Sequence, residues 1–159
     1  MRGFTFRLEP LLSLRRHREQ TLQLKLAESQ RALERERSEL QRLREETRAR
    51  SASLHQQQGR GPLDMGRVSM ESAYLILLEG RVAEQEVLVE KLARQVDGDR
   101  EAVLEAAKEK KALERLREVQ LVAFARAEAR KEMKAAEEVA TTRHVRRSRE
   151  QEEVALYDG

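Results

Sequence analysis

Leucine recurs at heptad spacing along the first third of the chain. Residues 11 to 57 contain neither Gly nor Pro. The two seam positions of the heptad hold the leucines Leu12, Leu26, Leu33, Leu40 and Leu54, and Leu8, Leu22 and Leu43. Polar residues interrupt the seam at Arg15, Glu19, Ser29, Glu36, Thr47 and Arg50. This repeat predicts a long helix that buries one narrow apolar stripe.

Helix-breaking residues divide the chain into two helices. Pro10 suits the first turn of a helix, where no hydrogen bond is lost, so helix one is predicted over about 10–57. The stretch 56–69 holds three of the seven glycines and the second of the two prolines, which predicts a turn at about 58–67. Apolar periodicity then resumes, and its seam residues are Val68, Leu75, Leu78, Val82, Val89, Leu92, Val96 and Val103. Helix two is predicted over about 68–153, with a kink or local fraying at Gly98.

Two long helices that each carry one apolar stripe pack most simply as a hairpin. The predicted fold class is all-α: an antiparallel two-helix coiled-coil hairpin, forming one domain over 1–159, with a longer second helix that overhangs at the termini end. If the turn centres near Gly61, the start of helix one lies beside Leu113. The chain after about residue 117 then has no intrachain partner.

The composition excludes a conventional globular core. Charged residues make up 38% of the chain and aromatic residues only 3%, so a β-sandwich, a barrel or a doubly wound sheet has too few large apolar side chains to form. The 32 basic and 29 acidic residues are interleaved and leave a net charge of +3. Because the charges nearly balance, the basic pI is weak support for binding nucleic acid, and no nucleic-acid partner is predicted.

No residue pattern indicates an active site. Cysteine is absent, and His17, His55 and His144 are too scattered to form a metal site. The glycines of the turn lack the spacing and the Lys-Ser/Thr of a phosphate loop. We therefore expect no enzyme activity, no catalytic residue, no metal and no cofactor. The longest apolar run, 73–78, is too short to span a membrane, and the N-terminus lacks a secretory signal, so a cytoplasmic protein is predicted.

Three segments resemble the FliJ family of small flagellar export proteins. The first is the opening Phe-Thr-Phe-Arg-Leu-Glu-Pro-Leu-Leu-Ser-Leu-Arg of residues 4–15. The second is Lys-Lys-Ala-Leu-Glu-Arg-Leu at 110–116, and the third is the stretch 124–132 that begins at Phe124. The resemblance covers most of the length in the right order, whereas the section 62–78 departs from the family pattern.

The resemblance implies the role of a non-catalytic stalk. Proteins of this family enter the pore of the hexameric export ATPase of the flagellar type III apparatus, and they also contact the cytoplasmic part of the export gate and export chaperones. The implied ATPase-facing residues are Leu11, Leu14, Arg15, Arg18, Arg126 and Arg130. The implied gate-facing residues are Tyr74, Leu78 and Arg81.

Two alternatives remain open at this stage. The same architecture would serve the stalk of a virulence-type injectisome, although the Phe-x-Phe-x-Leu opening favours the flagellar system. A homodimeric coiled-coil scaffold is a different class, in which helix two pairs between chains. The flagellar interpretation predicts a chain that is monomeric when isolated and is held at the inner membrane only through its partners.

Overall fold

Two long helices account for nearly all of the structure. A computed structural model describes residues 3–62 and 64–157, and in these ranges the chain has no β-strand. Helix α1 spans Glu9–Gln58 and helix α2 spans Met65–Tyr157. The two helices pack against each other, which confirms the predicted helical hairpin.

Local hydrogen bonds mark where the two helices begin, and a glycine conformation marks the turn after α1. Before α1, the backbone N–H of Glu9 donates to the carbonyl of Phe6 at 3.1 Å. After α1, Gly61 has a φ of 125°, a conformation that suits glycine. Helix α2 begins at Met65, three residues earlier than predicted, because Asp64 caps it. The Asp64 carboxylate accepts hydrogen bonds from the backbone N–H groups of Gly66 and Arg67, at 3.1 and 3.3 Å. Leu63, inside the predicted turn, lies outside the described residues.

Helix α2 is continuous through Gly98, so the predicted fraying there is wrong. The neighbouring Asp99 is 7% exposed, and its carboxylate forms an ion pair with the ammonium of Lys25 on α1 at 3.3 Å. The buried Val96, 2% exposed, packs in the seam within the same turn, and tertiary packing of this kind outweighs the cost of about 1 kcal/mol that a glycine imposes on a helix interior.

The chain divides into two compact units. The larger unit is Leu14–Lys110, and the smaller one combines the first 13 residues with the chain from Lys111 onward. In the larger unit the buried apolar side chains are Leu33, Leu40, Leu43, Leu54, Leu78, Val96 and Ala106. All four of the α1 residues in this set were predicted at seam positions, so the heptad assignment of α1 is confirmed for them.

In the smaller unit the N-terminal segment packs on α2. Phe6 and Leu12 are buried, the rings of Phe4 and Phe124 lie 5.7 Å apart, and Glu9 forms an ion pair with Arg117 at 3.1 Å. The prediction that residues after about 117 lack an intrachain partner is therefore wrong for the stretch that ends at Phe124. The reason is that residues 3–6 are not helical. A non-helical chain extends about 3.3 Å per residue against 1.5 Å in a helix, so it reaches farther along α2.

Candidate partner-binding surfaces

Arg15 and Arg18 share one carboxylate. Both guanidinium groups donate to the same oxygen of Glu109 on α2, and the contact of Arg18 measures 3.3 Å. The side chain of Arg15 is the more buried of the two. These two predicted ATPase-facing residues therefore also join α1 to α2 in the larger unit, and Arg18 is the one that remains more accessible to a partner.

The two predicted leucines of this set are accessible. Leu11 belongs to the smaller unit and Leu14 to the larger one, and both side chains are exposed. Leu12, between them, is fully buried. Leu12 therefore stabilises the fold, whereas Leu11 and Leu14 are accessible to another protein.

Arg126 and Arg130 are exposed on α2, in the smaller unit. Among the described residues neither one forms an ion pair. A guanidinium that is not already paired can offer all five of its N–H donors to a carboxylate of a partner. These two arginines are therefore the most available charges of the predicted ATPase-facing set.

The last part of α2 is accessible on every face. From Ala129 to Leu156 each residue is exposed except the half-buried Ser148. The segment carries the basic residues Arg143, Arg146, Arg147 and Arg149 together with five scattered large apolar side chains. An isolated helix with so little apolar packing is only marginally stable in water.

Tyr74 is held by α1 in the larger unit. Its phenol donates to the carboxylate of Glu46 at 2.8 Å, and the guanidinium of Arg50 lies 5.2 Å from the ring centroid. The Glu46 hydrogen bond raises the pKa of Tyr74 above its ordinary value of 10.0, because the carboxylate favours the neutral phenol. The stabilisation of the fold by this hydrogen bond is therefore complete below pH 10, and it is lost as the pH rises through the higher pKa of Tyr74 in the folded chain.

Leu78 cannot belong to an exposed gate-facing surface. Its side chain is 0% exposed, because it occupies the seam of the hairpin. Leu77, one residue earlier, is 50% exposed and was not among the predicted residues. Met70, Tyr74, Leu77 and Arg81 follow one another at spacings of three and four residues, which places them on one face of α2. We call these four residues the α2 stripe.

Neither a metal site nor a membrane span is found in the described part of the chain. Over residues 3–62 and 64–157, His, Asp and Glu form no group of three or more that could hold a metal ion. In the same ranges, no helix combines the length and the apolarity that a membrane span requires. Carboxylates pair with neighbouring arginines instead, as in the contacts of Arg42 with Glu39 and Glu46 at 2.7 and 3.3 Å. Ion pairs between exposed side chains of this kind are individually weak.

Two helices that bury one shared seam and leave long charged faces exposed define a coiled-coil hairpin protein. The protein-family model described as "Flagellar FliJ protein" matches residues 4–149 of this chain, and the chain therefore belongs to the FliJ family. This membership gives it a role related to flagellar protein export, in a family that is not catalytic. No curated protein and no solved structure matches the chain.

Proposed function

We propose that this chain is the central stalk of the flagellar type III export apparatus. In this role it inserts into the ring of the hexameric export ATPase, links the ring to the cytoplasmic part of the export gate, and is held at the inner membrane by these partners. The observation that carries the proposal is the family match over 4–149, which includes both the N-terminal segment and most of the exposed end of α2. The partner performs ATP hydrolysis, and the stalk supplies contact surfaces.

The ATPase-facing surface is supported by side chains that the fold does not use. Leu14 is exposed, and Arg126 and Arg130 form no ion pair among the described residues. A stalk that shifts between successive subunits of a ring needs contacts that are individually weak and easily exchanged. Exposed ion pairs are of this kind, because each contributes only about 0–1 kcal/mol.

The gate-facing surface is supported by the α2 stripe. Met70 and Leu77 are exposed apolar side chains, and Arg81 provides an exposed charge on the same face. Interfaces bury apolar side chains at their centre and keep polar groups at their rim. The α2 stripe therefore replaces the predicted set of Tyr74, Leu78 and Arg81, with Leu77 in the place of the buried Leu78.

Charge reversal at the exposed arginines of α2 tests the ATPase contact. We expect Arg126→Glu combined with Arg130→Glu to raise the stalk concentration needed to stimulate the cognate export ATPase by about tenfold or more, because two attractive charges become repulsive. The measurement is the rate of phosphate release by the ATPase with increasing amounts of each variant. Binding of the same variants to the ATPase is measured in parallel by sedimentation.

A matched control makes the same change of charge elsewhere. Arg31 and Arg35 are exposed on α1 and form no ion pair among the described residues, so Arg31→Glu with Arg35→Glu should stimulate the ATPase like the unmodified chain. If both double variants stimulate equally, the assigned surface is wrong. If the unmodified chain neither binds nor stimulates the ATPase, the proposed function itself is wrong.

Alanine substitutions in the α2 stripe test the gate contact. We expect Leu77→Ala to weaken binding to the cytoplasmic part of the export gate at least tenfold, because a central apolar contact is lost, while the helix content of the chain stays the same. Isothermal titration with the purified cytoplasmic part of the gate measures the affinity. Circular dichroism measures the helix content.

The control residue for this experiment is Ile76. It precedes Leu77 and is also exposed, but it lies about 100° away around the helix and outside the α2 stripe. Ile76→Ala should bind the gate like the unmodified chain. The opposite pattern, with binding lost for Ile76→Ala and kept for Leu77→Ala, would move the gate contact to another face of α2.

A further inference from the structure

A second heptad row runs along α2 in the smaller unit. Its residues follow one another at alternating spacings of three and four, and every one of them is exposed. We call this row the outer seam, and its members are Val119, Val122, Arg126, Ala129, Met133, Ala136, Ala140, Arg143 and Arg147. Alternating spacings of three and four keep side chains in one line along a helix, which is the pattern by which a helix packs against another helix. The outer seam extends over about 40 Å.

The outer seam lies opposite to the face of α2 that packs on the N-terminal segment. Phe124, which contacts that segment, is two residues from both Val122 and Arg126, so it lies about 160° around the helix from each of them. The side chains of Val119 and Met133 are 60% and 62% exposed. The described part of the chain therefore leaves the outer seam uncovered.

The charge of the outer seam has one sign. Its charged members are arginines, and no acidic residue belongs to it. The helix offers Arg126 and Arg143 no carboxylate three or four residues away, the spacings at which side chains of one helix pair. Among the described residues, Arg126, Arg143 and Arg147 form no ion pair, whereas Arg42 on α1 pairs with two glutamates. Over 139–149 the chain has four arginines and no acidic residue, so this end of the outer seam attracts an anionic partner most strongly.

Pairing of two outer seams does not satisfy these arginines. In a parallel pair, each arginine would face its own copy. In an antiparallel pair centred on Met133, Arg143 would face Val122 and Arg147 would face Val119, so neither would meet a carboxylate. A helix that carries acidic residues beside an apolar row pairs with the arginines and also covers the apolar side chains.

We propose that the outer seam binds one helix of a partner protein, and that this helix is amphipathic and acidic. The valines and Met133 supply apolar contacts, and the alanines leave room for a second helix to approach closely. Each guanidinium offers a planar fork of N–H donors that matches a carboxylate. A docked helix also stabilises the end of α2, which has little apolar packing of its own. The proposal goes beyond the stalk function and does not rest on it, and Arg126 is the one residue that the outer seam shares with the ATPase-facing set.

A synthetic acidic helix tests the proposal with the full chain. The probe is a fluorescent peptide of about 28 residues, with leucine and alanine at the two seam positions of each heptad and glutamate at the flanking positions. We expect it to bind the unmodified chain. The variant Arg143→Glu with Arg147→Glu should weaken this binding by about tenfold or more, because two attractive charges become repulsive. Fluorescence anisotropy measures the affinity, and the same peptide with lysine in place of glutamate should not bind.

A control variant makes the same change of charge on another face. Lys134 and Arg149 are exposed in the same part of α2, about 130° from the midline of the outer seam. Lys134→Glu with Arg149→Glu should therefore weaken binding of the acidic peptide by no more than about twofold at physiological salt, where distant charges are screened. Circular dichroism verifies that both double variants keep the helix content of the unmodified chain.

Three results would overturn the proposal. The first is an unmodified chain that does not bind the acidic peptide, or binds the lysine peptide equally well. The second is an equal loss of affinity in the two double variants, which would show a general attraction of charge without a binding face. The third is an unmodified chain that is dimeric by light scattering and becomes monomeric in Arg143→Glu with Arg147→Glu, because the outer seam would then pair with a second copy.

Discussion

Leu78→Ala is expected to lower the free energy of unfolding by about 2–5 kcal/mol, the usual cost of truncating a fully buried leucine. The side chain is 0% exposed in the seam of the larger unit, so its removal leaves a cavity between the helices. The measurement is chemical unfolding followed by circular dichroism. The α2 stripe belongs to the folded hairpin. Leu78→Ala should therefore weaken gate binding only in proportion to the fraction of the protein that is unfolded.

Leu77→Ala is the matched control for this prediction. The same substitution one residue earlier removes a half-exposed side chain and should change stability by no more than about 0.5 kcal/mol. Leu78→Ala would thus reduce stability and Leu77→Ala would reduce gate binding. If Leu78→Ala were as stable as the unmodified chain, Leu78 would not be part of the core, and the original gate-facing set would regain its support.

Asp99→Leu is expected to raise the free energy of unfolding by about 1–3 kcal/mol, because it removes a buried carboxylate that is not fully hydrogen-bonded, whereas the exposed Lys25 stays solvated. One oxygen of this buried carboxylate has no hydrogen-bond partner among the described residues. The other oxygen pairs with Lys25, whose own side chain is largely exposed. The desolvation of Asp99 is therefore incompletely compensated. Thermal and chemical unfolding of the variant measure the gain.

Two further substitutions control for this result. Asp97→Leu makes the same change at an exposed position two residues earlier, and it should alter stability by no more than about 0.5 kcal/mol. Lys25→Met removes the cation and leaves the buried carboxylate, so it should cost about 1–3 kcal/mol. A lower stability for Asp99→Leu would show that the ion pair contributes more than the leucine can replace.

The apolar pattern predicted the helices well because it depends on neighbouring residues alone. Leucines at heptad spacing located the buried face of α1, and glycine and proline located the turn. The start of α2 was placed too late because the capping carboxylate of Asp64 was not recognised. The fraying at Gly98 was predicted from local propensity, which ignores the packing of the neighbouring Val96 in the seam.

The candidate surfaces were harder to predict, because accessibility depends on how the helices face each other. Leu78 was assigned both to the seam and to the gate-facing surface, and its heptad position alone could have decided for the seam. The shared contact of Arg15 and Arg18 with Glu109 joins residues more than 90 positions apart, and no local pattern signals it. The reach of Phe4 to Phe124 depends on a non-helical start that helix counting does not include.

If a partner binds the exposed end of α2, from Ala129 to Leu156, the stability of this segment affects how fast that partner is released. A marginally stable helix exchanges with less ordered conformations, so binding must first offset the conformational entropy lost when the segment is fixed. This offset lowers the affinity that a given number of contacts provides, and a complex of lower affinity generally has a shorter residence time. A segment of this kind can therefore engage one binding site after another without being trapped at any of them.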